Sequence, residues 1–396
     1  MTTFVHNDLD VSAANVVASG QPLYPAVERT SAVAAIANHA NPTPATAEQR
    51  AAIFADPGFG KYFTDNVVRA VWTKAEGWHQ AELVSGTASA GGLGINALHY
   101  GQSIFEGLKA YRHADGGIYT FRPEANALRF QRSAHRLALP PVPTDLFIGS
   151  IEALVRQDQA WVPTDPDQSL YLRPLEFGSE DALGVRPSTH VTYVLMASPV
   201  GAYFPQGVKP VSVWLSDDYV RAAPGGTGEA KCAGNYASSL IAQAEASDNG
   251  CDQVVWIDAI ERKYIEEMGG MNMFFVYGSG SNARLVTPRL TGTLLPGVTR
   301  DSILTLARDL GYQAEEGTIT VEQWREGCAS GEITETFACG TAAVITPVGR
   351  VDSKNSGAWN IADGGSGDIT MKLRTALVDL QTGKAPDNHN WMHRIV

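Results

Sequence analysis

The chain has 396 residues, 44% of them hydrophobic, and a formal net charge of −12, enough for about two domains with cores of their own. It contains no run of eighteen or more apolar residues, no basic region followed by an apolar one at its start, and no basic run elsewhere. A membrane span, a secretory leader and a nucleic-acid or anionic-membrane partner are therefore not expected.

Residues 1–56, rich in Ala, Pro, Thr and Asn, read as an extension with one helix-like stretch, Ser31–His39. A small α+β domain is expected over 57–200. Tyr62–Trp72 and Ala81–Val84 have strand character. Ser103–Tyr111 predicts a helix, and Ala110–Arg112 with Ile118–Phe121 predict a hairpin about the turn Asp115-Gly116-Gly117. Helices at Asn126–Leu137 and Asp145–Gln159 and strands at Tyr171–Gly178 and Thr192–Ser198 complete it. The Gly/Pro-punctuated stretch 201–210 predicts an interdomain loop.

The remainder, 211–396, is expected to be the larger domain. It opens with a strand at Val211–Leu215, a Gly-rich loop at Pro224–Gly228 and a helix at Tyr236–Ser247. A strand at Gln253–Asp258, a hairpin around Ala259–Arg262 and a strand at Met271–Tyr277 form a meander. Helices at Arg300–Leu310 and Val321–Ser330 alternate with short strands near Ile319 and Glu335–Phe337. No internal repeat is present, and the fold class is α+β with a mostly antiparallel first half.

Four cysteines, at 232, 251, 328 and 339, form no CxxC pair or zinc spacing. They fit reduced thiols in a cytoplasmic protein without a bound metal, with Cys339 a small apolar filler. Lys231 lies between the Gly-rich loop and a helix, flanked by the small residues Ala230, Ala233 and Gly234. Such flanks let backbone close around a bulky ligand, and enclosure favours the free amine that Schiff-base chemistry needs. Tyr236 supplies a phenol on the following helix. Pro296-Gly297-Val298-Thr299 runs into a helix N-terminus and Cys339-Gly340-Thr341-Ala342 is a second small-residue loop, so both can offer amides and a hydroxyl to a phosphate. Gly91-Gly92-Leu93-Gly94 lacks the strand–helix context of a dinucleotide fingerprint. Glu266 and Glu267 lie between β-like segments, and the residues alone do not choose between them.

In order and spacing these motifs resemble the branched-chain amino acid aminotransferases, pyridoxal 5′-phosphate (PLP) enzymes of fold type IV. The resemblance runs from about Phe59 to the C-terminus. It rests on Phe59-Gly-Lys-Tyr-Phe-Thr-Asp65, Leu98-His-Tyr-Gly-Gln-Ser-Ile-Phe-Glu-Gly-Leu-Lys-Ala110 and Tyr171-Leu-Arg-Pro174. It continues through Lys231 to Tyr236, Glu267-Met-Gly-Gly-Met-Asn272, Leu295-Pro-Gly-Val298 and Gly340-Thr-Ala342.

The resemblance implies a two-domain α+β fold like that of D-amino-acid aminotransferase. It implies reversible ping-pong transfer of the amino group from L-leucine, L-isoleucine or L-valine to 2-oxoglutarate. Lys231 would be the Schiff-base lysine, Tyr236 the partner of the cofactor's phenolic oxygen and Glu267 the acid at its ring nitrogen. Arg129, Val298, Thr299 and Thr341 would bind phosphate, and the amides of Thr341 and Ala342 the substrate carboxylate. Phe59, Tyr100, Phe105, Tyr171 and Tyr203 would line the side-chain pocket, with Arg173 reading the γ-carboxylate of glutamate. Tyr100, Leu183 and Val185 would enter that pocket from the other subunit of a homodimer. The sister activities of this fold, D-amino-acid aminotransferase and aminodeoxychorismate lyase, are disfavoured by the Leu98–Ala110 and Tyr171–Pro174 motifs. The sequence departs from the family pattern at Ala233 and Gly270, and lacks a CxxC after Thr341.

Overall fold

The structure, a computed structural model, describes residues 23–24, 36–86, 92–165, 167–201 and 208–396. Its contacts divide the chain into two units. The first comprises Met1–Tyr203, Ala230–Ala233 and Gln381–Val396, and the second Phe204–Glu229 and Gly234–Leu380.

In the first unit, period-two burial along β2 (Asn66–Thr73), with Asn66, Val68 and Ala70 buried and their neighbours half-buried, marks a strand with one core face. It pairs antiparallel with β3 (Gly77–Ser85), and the short β1 (Ala37–His39) adds parallel to β3. After α1 (Ala47–Ala55) in chain order and α2 (Asn96–Tyr100) come β4 (Ser103–Phe105), β5 (Leu108–Arg112) and β6 (Ile118–Phe121). Helices α3 (Pro123–Arg136) and α4 (Thr144–Gln157) follow, then the long strands β7 (Ser169–Gly178) and β8 (His190–Val200). The sheet order is β1-β3-β2-β8-β7-β5-β6, closed at its far edge by the C-terminal β18 (Met392–Arg394), with β4 paired to β7. Pro123 opens α3 at its first turn, where a missing N–H costs nothing. Its core face carries Phe130, which meets Phe147 of α4 and Tyr193 of β8.

The second unit runs β9 (Val211–Leu215), α5 (Ala233–Ala237), α6 (Leu240–Asp248), β10 (Gln253–Ile257), β11 (Ile265–Met268), β12 (Met271–Tyr277) and β13 (Arg284–Pro288). It continues with α7 (Val298–Asp309), β14 (Gln313–Gly317), α8 (Val321–Ser330), β15 (Ile333–Gly340), β16 (Val344–Ser353), β17 (Gly357–Asn360) and α9 (Asp368–Gln381). Strand order β11-β10-β9-β16-β15-β12, with β11 also paired to β12, closes a six-stranded ring, and β13 and β14 extend from β12. Closure buries both faces of the short strands, and all four residues of β11 are buried. α8 starts at a capping box in which Thr320 and Gln323 satisfy each other's backbone N–H groups.

Several expectations are corrected. Ser103–Tyr111 is not a helix but β4 and most of β5, because each finds a ladder partner on β7; the helix is the short α2 before it, ended by Gly101 at φ +65°. In the helix expected over Ser31–His39, residues 31–35 lie outside the described residues and Ala37–His39 is a strand. Tyr236–Ser247 is split between α5 and α6, and the strand placed near Ile319 is Gln313–Gly317. Two stretches expected in the second domain belong to the first unit. Ala230–Ala233 pairs along β4 through Ile104 and Cys232, and the C-terminus pairs along β6.

Candidate active site

In the first unit, residues 230–233 run beside β4 and are joined to it by a single antiparallel bridge. Ile104 pairs with Cys232, and Phe105 N donates to the Lys231 carbonyl at 3.0 Å. From the other side Lys231 N donates to Ser133 Oγ of α3 at 2.9 Å. The lysine backbone is thus held by two elements, and Nζ lies 5.0 Å from the Phe105 ring centroid.

Arg129, on the buried face of α3, forms a fork with Glu106, Nε to Oε1 at 2.7 Å and Nη2 to Oε2 at 2.8 Å. Asn126 Nδ2 donates to the same carboxylate at 2.8 Å. Burial pushes the Glu106 carboxyl up, but Arg129, with help from Lys231 and Asn126, outweighs it and holds it below the usual range.

Tyr171 and Arg173 stand two apart on β7, hence on one face. Phe59 meets Tyr171 edge-on at 4.9 Å, and the Arg173 guanidinium lies 4.7 Å from the Phe105 ring and 5.2 Å from Tyr171. Arg173 Nη2 donates to Tyr171 Oη at 3.1 Å, while its buried Nε has no acceptor among the described residues. A Cβ on Gly107 would stand 2.0 Å from Tyr171 Oη, so glycine is what lets this aromatic in.

Tyr100, Leu183 and Val185 do not join this group. They are exposed on the surface formed by α2 and the 181–185 stretch, where Tyr100 Oη donates to the Leu183 carbonyl. Tyr203 lies outside the described residues.

In the second unit the functional candidates gather at one end of the strand ring. Glu267 of β11 pairs with Asn272 of β12, which pairs on its other side with Cys339 of β15, just before Thr341. Glu267 is 1% exposed. Its Oε1 accepts from Asn272 Nδ2 at 3.1 Å and from Leu295 N at 2.7 Å, and its Oε2 faces Arg221 Nη2 at 2.8 Å. Arg221 also donates to the carbonyls of Gly228 and Thr293, at 3.0 and 2.8 Å, tying the Gly-rich loop to the same group. Glu266 is different: it accepts from Thr293 Oγ1, and burial raises its carboxyl above the usual range despite that bond and the charge of Arg221.

Val298 and Thr299 are buried in the first turn of α7, whose N-cap, Gly297, makes no side-chain cap bond. A Cβ on Gly297 would fall 2.0 Å from Asn272 Oδ1, so this end of α7 approaches β12 as closely as backbone permits. Thr341 and Ala342 form the partly exposed turn between β15 and β16. Burial raises the Cys339 thiol strongly, leaving it unreactive as a nucleophile. Tyr236, on α5, is 36% exposed, and its ring is 3.5 Å from where a Cβ on Gly270 would be, an ordinary contact that leaves room for a side chain there. Among the described residues no cluster of His, Cys, Asp or Glu is placed to hold a metal ion, and no helix is long and apolar enough to cross a membrane.

Sequence reasoning missed Glu106, Asn126, Ser133, Arg221 and Asn272 as members of these groups. Glu106 lies inside the Leu98–Ala110 motif and Asn272 inside Glu267–Asn272, and Asn126 precedes Arg129 by one helical turn. Arg221 left no signal, because its partners come from residues 228, 267 and 293.

Residues 103–351 match the amino-transferase class IV family. The chain is 58% identical over 357 residues to the branched-chain-amino-acid aminotransferase of Mycolicibacterium smegmatis, covering 90% of this chain and 97% of that one. It is 56% identical to that of Mycobacterium tuberculosis, covering 89% and 96%. Among solved structures it is similar to the branched-chain amino acid aminotransferase of Escherichia coli, with a TM-score of 0.67 and 29% identity over 83% of this chain and 99% of that one. It is also similar to the T.th. branched-chain amino acid aminotransferase with pyridoxamine 5′-phosphate, with a TM-score of 0.68 and 29% identity over 83% and 98%.

Proposed function

The chain belongs to the class IV aminotransferases and, within them, to the branched-chain-amino-acid aminotransferases, and from that premise we propose which of its residues carry the reaction. The activity is reversible transamination of L-leucine, L-isoleucine and L-valine with 2-oxoglutarate, using pyridoxal 5′-phosphate. The donor set fits that cofactor: a lysine amine with its backbone fixed, a buried arginine, a cap-free helix N-terminus and a buried carboxylate held by a cation. When bound, the cofactor supplies an electron sink for charge developing at the substrate α-carbon.

With the cofactor bound, Lys231 would hold it through Nζ, and its amine would move a proton at the substrate α-carbon. Glu267 holds a proton on the cofactor's ring nitrogen, and Tyr236 donates toward its phenolic oxygen. Arg129, Val298, Thr299 and Thr341 bind phosphate, and the amides of Thr341 and Ala342 orient the substrate carboxylate. Phe59, Phe105, Tyr171 and Tyr203 form an apolar pocket, where burying a Leu, Ile or Val side chain contributes roughly 1.5–3 kcal/mol. Arg173, with Nε unpartnered beside Tyr171 and Phe105, takes the γ-carboxylate of glutamate. Tyr100, Leu183 and Val185 serve the partner subunit of a homodimer. The free cysteines support a cytoplasmic location.

The observation that carries this reading is the Glu267–Arg221 pair. A carboxylate buried to 1% exposure with a cation on one oxygen and two N–H groups on the other is built to stay ionised. Protein reconstituted with pyridoxal 5′-phosphate is expected to be yellow and to bleach on adding L-leucine, with 2-oxoglutarate restoring the colour. Lys231→Ala should still retain the cofactor non-covalently but lose that colour change and nearly all turnover. Normal turnover in Lys231→Ala would overturn the assignment.

A further inference from the structure

Asn272, buried on β12, has no part in the roles assigned above, yet its side-chain amide is fully committed. Nδ2 donates to Glu267 Oε1 at 3.1 Å and to the Leu295 carbonyl at 3.0 Å, which uses both of its N–H groups. Leu295 N donates to the same Oε1 at 2.7 Å, so Asn272, Glu267 and the Leu295 backbone form a closed circuit of hydrogen bonds. The strands fix the amide as firmly. Asn272 stands directly across from Glu267 on β11 and, on its other side, from Cys339 on β15, and side chains directly opposite on antiparallel strands are close enough to meet. Leu295 lies two residues before Gly297, the N-cap of α7. A Cβ on Gly297 would fall 2.0 Å from Asn272 Oδ1 and 3.2 Å from its Cγ. The nitrogen side of the amide therefore holds the acid, while the oxygen side lies against the start of the helix.

We propose that Asn272 is a positioning residue of the cofactor site: it holds the Glu267 carboxylate in register with the first turn of α7, so that the acid for the ring nitrogen and the groups for the phosphate keep one fixed spacing. This rests on the reading in which Glu267 meets the ring nitrogen. Arg221 and Asn272 then divide the work on that carboxylate. Arg221 supplies charge to Oε2 and is tied to the carbonyls of Gly228 and Thr293. Asn272 is neutral, takes Oε1 and is tied to the segment that opens α7. A glutamate side chain turns about three bonds, and ordering it before a ligand arrives removes that cost from binding. The benefit falls only on a ligand that has a ring nitrogen for Glu267 to meet.

Two ligands separate orientation from fold: pyridoxamine 5′-phosphate and its analogue with carbon in place of the ring nitrogen. Both carry the same phosphate, and neither forms a covalent bond to Lys231. Their dissociation constants are read by tryptophan fluorescence on the full-length protein freed of cofactor. The wild type should favour the nitrogen-bearing ligand. Asn272→Ala should cut that preference about tenfold, the usual worth of a hydrogen bond to a charged group. A residue with only a structural role would weaken both ligands alike and leave their ratio in place. Gly297→Ala reaches the same amide by another route, since its methyl would displace Asn272 Oδ1. It should lower the ratio as well, whatever it does to the phosphate, and should lower it no further once Asn272 is already Ala. If Asn272→Ala does not fold, Gly297→Ala carries the measurement. A ratio that stays within about twofold of wild type in either folded variant overturns the proposal. Equal binding of the two ligands by the wild type overturns the role given to Glu267, and this proposal with it.

Discussion

Glu266 and Glu267 are adjacent, both acidic and both buried, yet their surroundings give them opposite tendencies. Glu267 is held by a guanidinium and two N–H groups, whereas Glu266 has a threonine hydroxyl and a raised carboxyl. The sequence could not separate them by periodicity, because β11 belongs to a closed ring and is buried on both faces. Only the resemblance chose Glu267, and Arg221, 46 residues away in sequence from Glu267, supplies the physical reason. Glu267→Gln should slow turnover on the order of a hundredfold, since a neutral amide cannot hold the ring-nitrogen proton. It should also lower stability by about 3–5 kcal/mol, because it leaves the Arg221 charge buried without its partner. Glu266→Gln replaces a group that burial already biases toward neutrality and should change both quantities little. Turnover and denaturant unfolding of the two variants decide the matter; equal losses of kcat would take the role away from Glu267.

Strand β7 shows how one element serves the site and strains the core at once. Its outer alternation brings Tyr171 and Arg173 together, a grouping legible from their spacing alone. Its opposite face carries Glu176, fully buried, with neither carboxylate oxygen hydrogen-bonded among the described residues. Burial raises its carboxyl well above the usual range. The folded protein therefore keeps a proton that the unfolded chain releases above about pH 4.3. The sign follows: the folded state binds more protons, so this group lowers stability as pH rises, by up to about 1.4 kcal/mol per unit until the raised value is reached. Glu176→Met, of similar volume and apolar, should be more stable than wild type at neutral pH, and its advantage should widen as pH rises above the ordinary carboxylate range, until the raised value is passed. Denaturation midpoints that stay parallel as pH rises from about 5 would show that Glu176 is ionised or partnered in the fold. The neighbouring β4 is not legible as a strand in the sequence for a related reason. Three residues carry too short a pattern to reveal period two, and their strand character comes from the ladder to β7 and a single bridge to Cys232.

At the scale of the whole molecule, two stretches more than eighty residues apart in sequence meet on one exposed surface of the first unit. Ile95 pairs with Asp181, and Tyr100 reaches the Leu183 carbonyl. Leu93, Leu98, Leu183 and Val185 are 88, 66, 69 and 83% exposed there, a concentration of large apolar side chains that a solvated surface does not favour. Motif matching marked Tyr100, Leu183 and Val185 individually, but their meeting was not legible, since nothing in the local pattern pairs residue 100 with residue 183. A second copy of the chain is the proposed cover, with these residues completing its partner's pocket. Lys231→Ala and Leu183→Asp should each be inactive alone, the second because it sets a charge in an apolar pocket. If Leu183 acts in trans, a mixed dimer has one site with both defects and one with neither. Random pairing makes half the dimers mixed, so co-refolding the two variants should restore up to about a quarter of wild-type activity. If Leu183 serves its own chain, every site in a mixed dimer keeps one defect and no activity returns, provided that refolded wild type recovers normally.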